Sequence, residues 1–207
     1  DIPEHWKISK LKRLLIDKLK YGANEAAILD DRELPRYIRI TDFDDSGSLR
    51  DDTFKSLPFE LAEEYLLKEG DVLFARSGAT VGKTFIFKGF NGKACFAGYL
   101  IRARTNVNIL LPEFLNYYTK SPIYLKWKNN IFTQSTIQNI GADKYQYLPI
   151  PLPPLTEQKA IANYLDSLRE KTESTINVLK EQIQVLKDYK KSLIHECVTG
   201  KRKVVDA

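Results

Sequence analysis

The sequence predicts an α+β chain: a globular domain with a mixed, mostly antiparallel sheet and short helices, followed by a long C-terminal coiled-coil helix. Three observations carry this. Short alternating apolar runs punctuated by turn residues fill the first three quarters of the chain. A proline-rich stretch, "LPIPLPPLTEQ" at 148–158, then interrupts any regular pattern. After it an apolar stripe at helical spacing runs almost to the end.

The strand-like runs are "YIRITDF", "DVLFARS", "TFIFKGF" and "CFAGYLIRAR". Turn chemistry separates them. Asp45-Ser46-Gly47-Ser48 and Glu69-Gly70-Asp71 are turns, and Asn91-Gly92 predicts a hairpin between the runs on either side. "FELAEEYLL" and "LPEFLNYYTKSPIYLKWKNNI" read as helices, with Pro112 suited to a first turn. The four prolines at 149, 151, 153 and 154 exclude helix and central strand, which leaves an extended connector. Thr156 is the expected N-cap of the helix that follows, with Glu157 in its first turn and Gly200 at its end. The expected division is therefore a globular domain at 1–155, a helix at 156–199 and a tail at 200–207.

In that helix Ile161, Leu165, Leu168, Thr172, Ile176, Leu179, Ile183, Leu186, Lys190 and Leu193 follow one another by steps of four and three. One extra step of four, from Thr172 to Ile176, locally unwinds the supercoil. A helix of roughly forty residues is a rod of about 60 Å. It has no second long helix in this chain to lie against, so the stripe predicts association with another chain. Leu165, Leu168, Ile176, Leu179, Ile183, Leu186 and Leu193 are the expected dimerisation residues, and a homodimer is the simplest solution.

Composition narrows the function classes. With 43% apolar residues in 207, the chain has enough to bury a core. No apolar run approaches bilayer length and no signal peptide opens the chain, so no membrane association and a cytoplasmic location are expected. Cys95 and Cys197 lack neighbours at metal-ligand spacing and read as small buried apolar residues of a reduced compartment. The net charge is +5 and is unevenly spread. From Glu25 to Glu64 twelve acidic residues face five basic ones. From Asp71 to Arg104 the balance reverses, with Arg76, Lys83, Lys88, Lys93, Arg102 and Arg104 against Asp71 alone. Such a block fits a surface that follows a phosphate backbone, and equally a set of solvated strand edges.

The stretch "FARSGATVGKTFIF" has the ingredients of a triphosphate cradle but not its spacing. Only three residues separate Gly78 from Gly82, and a strand pattern follows where a helix is needed. Enzymatic constellations are equally scarce. His5 and His195 sit near opposite ends, there is no glycine-rich cofactor fingerprint, and no Asn-Pro-Pro-aromatic run awaits a flipped base. The acidic cluster Asp42, Asp44, Asp45, Asp51 and Asp52 reads as a turn-forming loop rather than a Mg²⁺ site. The polar run "TQSTIQNIGADKY" has a stronger claim on function. Gln134, Ser135, Thr136, Gln138 and Asn139 both donate and accept, as groups that read base edges must. The other reading is a loop that satisfies its own backbone.

The ordered set "YIRITDF", "EGDVLFARSGATVGKTFI", "GYLIRAR", "SPIYLKW", "STIQNI", "YLPIPLPPLTEQKAIANYLD" and "LIHECVTGK" closely resembles the specificity subunit of Type I restriction–modification systems, over nearly the whole chain. The resemblance implies that the globular part is a target recognition domain and the helix a conserved spacer. It also implies a subunit without catalytic activity and without cofactors of its own. Its partners would be double-stranded DNA, a modification methyltransferase subunit and a restriction subunit. Those subunits would hold S-adenosylmethionine, ATP and Mg²⁺.

On this reading "RSGATVGK" lies beside DNA, with its backbone N–H groups turned to the duplex. The expected contacts are Arg76, Ser77, Thr80, Lys83, Thr84, Lys88 and Lys93, together with Gln134, Ser135, Thr136, Gln138 and Asn139. Family members usually carry two recognition domains and two spacers, whereas this chain has one of each. It is therefore either a half-length subunit that pairs or one half of a longer protein, and the absence of methionine fits the second. The rival from another class is a coiled-coil scaffold whose globular head binds protein.

Overall fold

The computed structural model describes residues 2–44, 47–78, 80–132 and 139–204. In chain order its elements are β1 (Lys7–Lys10), β2 (Lys20–Tyr21), β3 (Arg36–Ile38), α1 (Phe59–Ala62), β4 (Val72–Ala75), β5 (Thr84–Ile86), β6 (Ala94–Phe96) and β7 (Leu100–Ala103). They continue with α2 (Pro112–Tyr118), α3 (Pro122–Phe132), α4 (Ala142–Tyr145), β8 (Pro149–Leu152) and α5 (Leu155–Val198). Short 3₁₀ turns occur at Leu11–Arg13, Ile40–Asp42 and Glu63–Tyr65. The strands form an antiparallel sheet in the order β2-β7-β4-β5, an antiparallel pair β1-β8 and a parallel pair β3-β6. The α+β reading with a mostly antiparallel sheet and a long terminal helix holds.

β4 reads "VLFA", apolar at every position, because both of its faces are covered. Val72 and Phe74 pack toward α2 and α3 with Leu110, Phe114, Leu115 and Tyr124. Leu73 and Ala75 face the other way, into a second core with Ile38, Phe85, Phe96 and Leu100. Each such side chain contributes roughly 1.5–3 kcal/mol on burial, so this strand anchors the globular unit.

Four expectations change. Asn91-Gly92 is not the tip of a hairpin: β5 pairs with β4, while β6 belongs to a different sheet. The reason is competition for edges. β3 occupies one side of β6 in register Tyr37↔Cys95, and Leu66 bridges Cys95 on the other. No edge remains for β5. "CFAGYLIRAR" is likewise two strands in two sheets, broken at Ala97–Tyr99. The proline stretch is more than a connector. β8 pairs with β1 in register Ile8↔Pro151 and Lys10↔Pro149, which a two-stranded sheet allows because its prolines lie at an edge. Finally, Cys197 is exposed near the end of α5, whereas Cys95 is buried and its thiol is pushed up to about 12 by loss of solvation.

The start of α5 also departs from expectation. The helix opens at Leu155, one residue before Thr156, so Thr156 sits inside the first turn rather than capping it. Glu157 and Gln158 instead donate their N–H groups to the Pro154 carbonyl. The Gln158 amide is fully buried: it donates to the carbonyls of Ile109 and Pro153 and accepts from the Leu111 N–H, each at 2.9 Å. Glu157 accepts from the Trp6 indole at 3.0 Å and pairs with His5 at 2.9 Å; His5, then Trp6, holds its carboxyl below the usual range. The first two turns of α5 thus belong to the compact unit that runs through residue 162.

Residues 163–207 form a second unit. From Asn163 to Val198 no described side chain is buried. Leu168, Ile176, Leu179, Ile183 and Leu186 are 43–65% exposed, and Leu165 and Leu193 are half-buried. Gly200, with φ of +73°, follows the last turn. No helix among the described residues is long and apolar enough to cross a membrane.

Candidate nucleic-acid interface

β4 and β5 are joined by residues 76–83, the turn that resembles a triphosphate cradle. It folds on itself instead. Gly78 and Gly82 have φ of +78° and +82°, a region open to glycine. Val81 donates to the Gly78 carbonyl, Lys83 to Thr80 and Gly82 to Ala75. These three backbone N–H groups are satisfied by carbonyls of the turn and of the end of β4, so the expectation of N–H groups turned to a duplex does not hold for Val81, Gly82 and Lys83.

The two segments singled out separately in the sequence meet at Arg76–Ser77 and Asn139–Ile140. Ile140 donates its N–H to the Arg76 carbonyl at 2.8 Å, and Ser77 and Asn139 form an antiparallel bridge. The Arg76 guanidinium lies over the Tyr21 ring, 4.9 Å from its centroid, and the Tyr21 hydroxyl accepts the Ala142 N–H. Arg76 N–H donates to the Tyr99 carbonyl, and Tyr99 itself is 68% exposed. Nε of Arg76 and Oδ1 of Asn139 are both shielded from solvent and have no hydrogen-bond partner among the described residues. Cation, amide and two tyrosines thus meet at one end of the central sheet.

The remaining expected contacts divide. Lys83 is exposed, and Ser77 and Thr80 are half-buried, all on the same turn. Thr84 is buried with its hydroxyl 2.5 Å from that of Thr119, so it is removed from the contact set. Lys88 and Lys93 are exposed, but they follow β5 and precede β6. β5 begins at Thr84 opposite Phe74 and ends at Ile86 opposite Val72, so Lys88 lies at the other end of the β4–β5 pair from Arg76 and Lys83. The Lys93 ammonium lies over the Phe59 ring, 4.3 Å from its centroid. Gln134, Ser135, Thr136 and Gln138 lie outside the described residues.

Nor are all the arginines of the basic block available. Arg104 binds the buried Asp71 carboxylate through Nε and a terminal nitrogen at 2.8 and 2.7 Å, and Arg102 and Arg104 both reach Asp17. The acidic stretch is also occupied. Asp42 is buried against Arg39, Asp51 pairs with Arg32 and Asp52 with Arg50.

Sequence reasoning missed Tyr21 and Tyr99 beside Arg76, and Lys120 and Lys128 near the turn. A tyrosine beside a glycine, a lysine in an elbow and another on a helix carry no local signal of this kind; only folding brings them to the site.

A polar and cationic loop pair thus lies at one end of the sheet, and the helix of residues 163–198 carries an exposed apolar stripe. The Type I restriction modification DNA specificity domain matches residues 3–185, and the chain belongs to that family. It is 26% identical to the Type I restriction enzyme EcoKI specificity subunit of Escherichia coli strain K12, over 97% of this chain and 44% of that protein. It is 28% identical to the putative MjaX specificity subunit of Methanocaldococcus jannaschii, over 96% of this chain and 47% of that protein. Among solved structures, the HsdS subunit from Thermoanaerobacter tengcongensis superposes with a TM-score of 0.60 at 25% identity, over 84% of this chain and 40% of that one. A chain from a type I R-M system assembly gives 0.72 at 23%, over 95% and 46%, a likeness of fold. The chain thus spans about half the length of the curated relatives it matches.

Proposed function

We propose that this chain is a DNA sequence-recognition unit of a Type I restriction–modification enzyme. It would direct a methyltransferase and a restriction subunit to a bipartite target. The observation that carries the reading is the pairing of the 76–83 turn with Asn139 and Ile140. It unites the cationic segment, which suits phosphates, with the amide-rich segment, which suits base edges. The unit performs no chemistry itself; S-adenosylmethionine, ATP and Mg²⁺ are work for its partners, in the cytoplasm. The test is methylation mapping with the modification subunit present. A defined set of adenines, lost when this chain is withheld, is the expected result. Salt-independent binding or no binding to duplex DNA would sink the proposal in favour of a protein-binding head.

The exposed stripe of residues 163–198 is the proposed dimer seam, joining two copies through Leu165, Leu168, Ile176, Leu179, Ile183, Leu186 and Leu193. Two identical readers related by a two-fold axis read inverted half-sites, so the target is an interrupted palindrome. Ile183→Asp with Leu186→Asp puts charges into the seam at several kcal/mol and yields monomers by light scattering. A wild-type monomer at tens of micromolar, or an asymmetric methylated sequence, would point to a two-domain parent instead.

A further inference from the structure

The turn between β4 and β5 and the elbow between α2 and α3 enclose a cationic cleft of about 260 Å³. We propose that this cleft holds the phosphodiester backbone of duplex DNA, with Lys120 and Lys128 acting beside Lys83. The inference rests on the DNA-recognition reading and adds to it a site and two residues.

The three lysines come from three places: the turn before β5, the elbow at Thr119–Ser121, and the middle of α3. They are brought together by contacts that hold turn and elbow as one piece. The Tyr124 hydroxyl donates to the Gly82 carbonyl at 2.7 Å, and burial raises that phenol's pKa, keeping it a donor. The Thr84 and Thr119 hydroxyls share a hydrogen bond at 2.5 Å. A Cβ on Gly82 would stand 2.3 Å from Cδ of Lys128, so glycine is what lets the lysine stem lie across the turn. Lys83 and Lys128 have no carboxylate partner among the described residues. One carboxylate, Asp44, lines the cleft as well, and it accepts the Ser48 N–H.

Lysine binds phosphate as a point charge, without the fixed fork that arginine brings to a single carboxylate. Three such charges from separate elements suit a chain of phosphates better than one acidic side chain. Because the same turn carries Arg76 and Ser77 to Asn139, a backbone seated in the cleft passes next to the base-reading segment.

The experiment measures binding of the full chain to a mixed-sequence DNA duplex over a range of salt, by fluorescence anisotropy. Lys120→Ala and Lys128→Ala should each lower the slope of log affinity against log salt by about one, on every sequence alike. Lys88→Ala, at the far end of β5, should leave the slope unchanged. Thermal melting followed by circular dichroism establishes that each variant is folded. Wild-type binding with an unaltered slope in both Lys120→Ala and Lys128→Ala overturns the cleft while sparing the DNA-recognition reading. So does an equal loss in Lys88→Ala, or a defect confined to capture of the methyltransferase subunit, which would make the cleft a protein-docking surface. Failure of the wild-type chain to bind duplex DNA overturns both.

Discussion

The two ends of the central sheet use the same kinds of residue for opposite purposes. At one end Asp71, Arg104, Asp17 and Arg102 neutralise one another, with Asp71 1% exposed and Arg104 clasping it bidentately. At the other end Arg76 rests on a tyrosine ring and Lys83 points into solvent, neither with a carboxylate partner among the described residues. Six cations and one anion in 34 residues therefore overstate the field that a ligand would feel. A charge spent on a buried carboxylate contributes to the fold, and only an unspent one steers a polyanion.

Breaking the paired end should cost most. Asp71→Ala leaves the Arg104 guanidinium without its buried partner and strips the Lys68 N–H of its acceptor. Urea unfolding should show a loss of about 3–5 kcal/mol. The salt slope of DNA binding should not move in whatever fraction stays folded. Next in size is Thr84→Val, which removes the buried bond to Thr119 and should cost about 1–2 kcal/mol. An unchanged salt slope in that variant would confirm that Thr84 serves the core rather than the duplex. Lys83→Ala sharpens the contrast from the open end. It should alter stability by less than about 0.5 kcal/mol while lowering the salt slope by about one. The smallest effect belongs to Lys93→Ala, which loses its place over the Phe59 ring and should change stability by about 0.5 kcal/mol, with no change in DNA binding. A Lys93 variant that behaves like Lys83→Ala would make Lys93 a phosphate contact as well.

The helix shows how local signals succeed. Steps of three and four between Leu165 and Leu193 are a property of the chain alone, set by neighbours one turn away, so periodicity and structure agree. Gly200 and Pro112 were legible for the same reason: a positive φ and a missing N–H are demands of one position on its own backbone. Asn91-Gly92 failed because a turn signal specifies a reversal but not which strand will be the partner. β6 had already filled its edges with β3 and Leu66.

What the sequence determined by itself was therefore the class, the order of segments, the long unpartnered stripe and the two segments of the candidate site. Each of these depends on spacing within a few turns of chain. Only the tertiary structure decided that Ser77 meets Asn139, that Gln158 is locked by Ile109, Leu111 and Pro153, and that Lys88 stands away from Lys83. It also decided which arginines are spent on Asp17 and Asp71. Those outcomes join residues tens of positions apart. They arise when sheets and helices compete to bury the same apolar faces, a competition that no local pattern encodes.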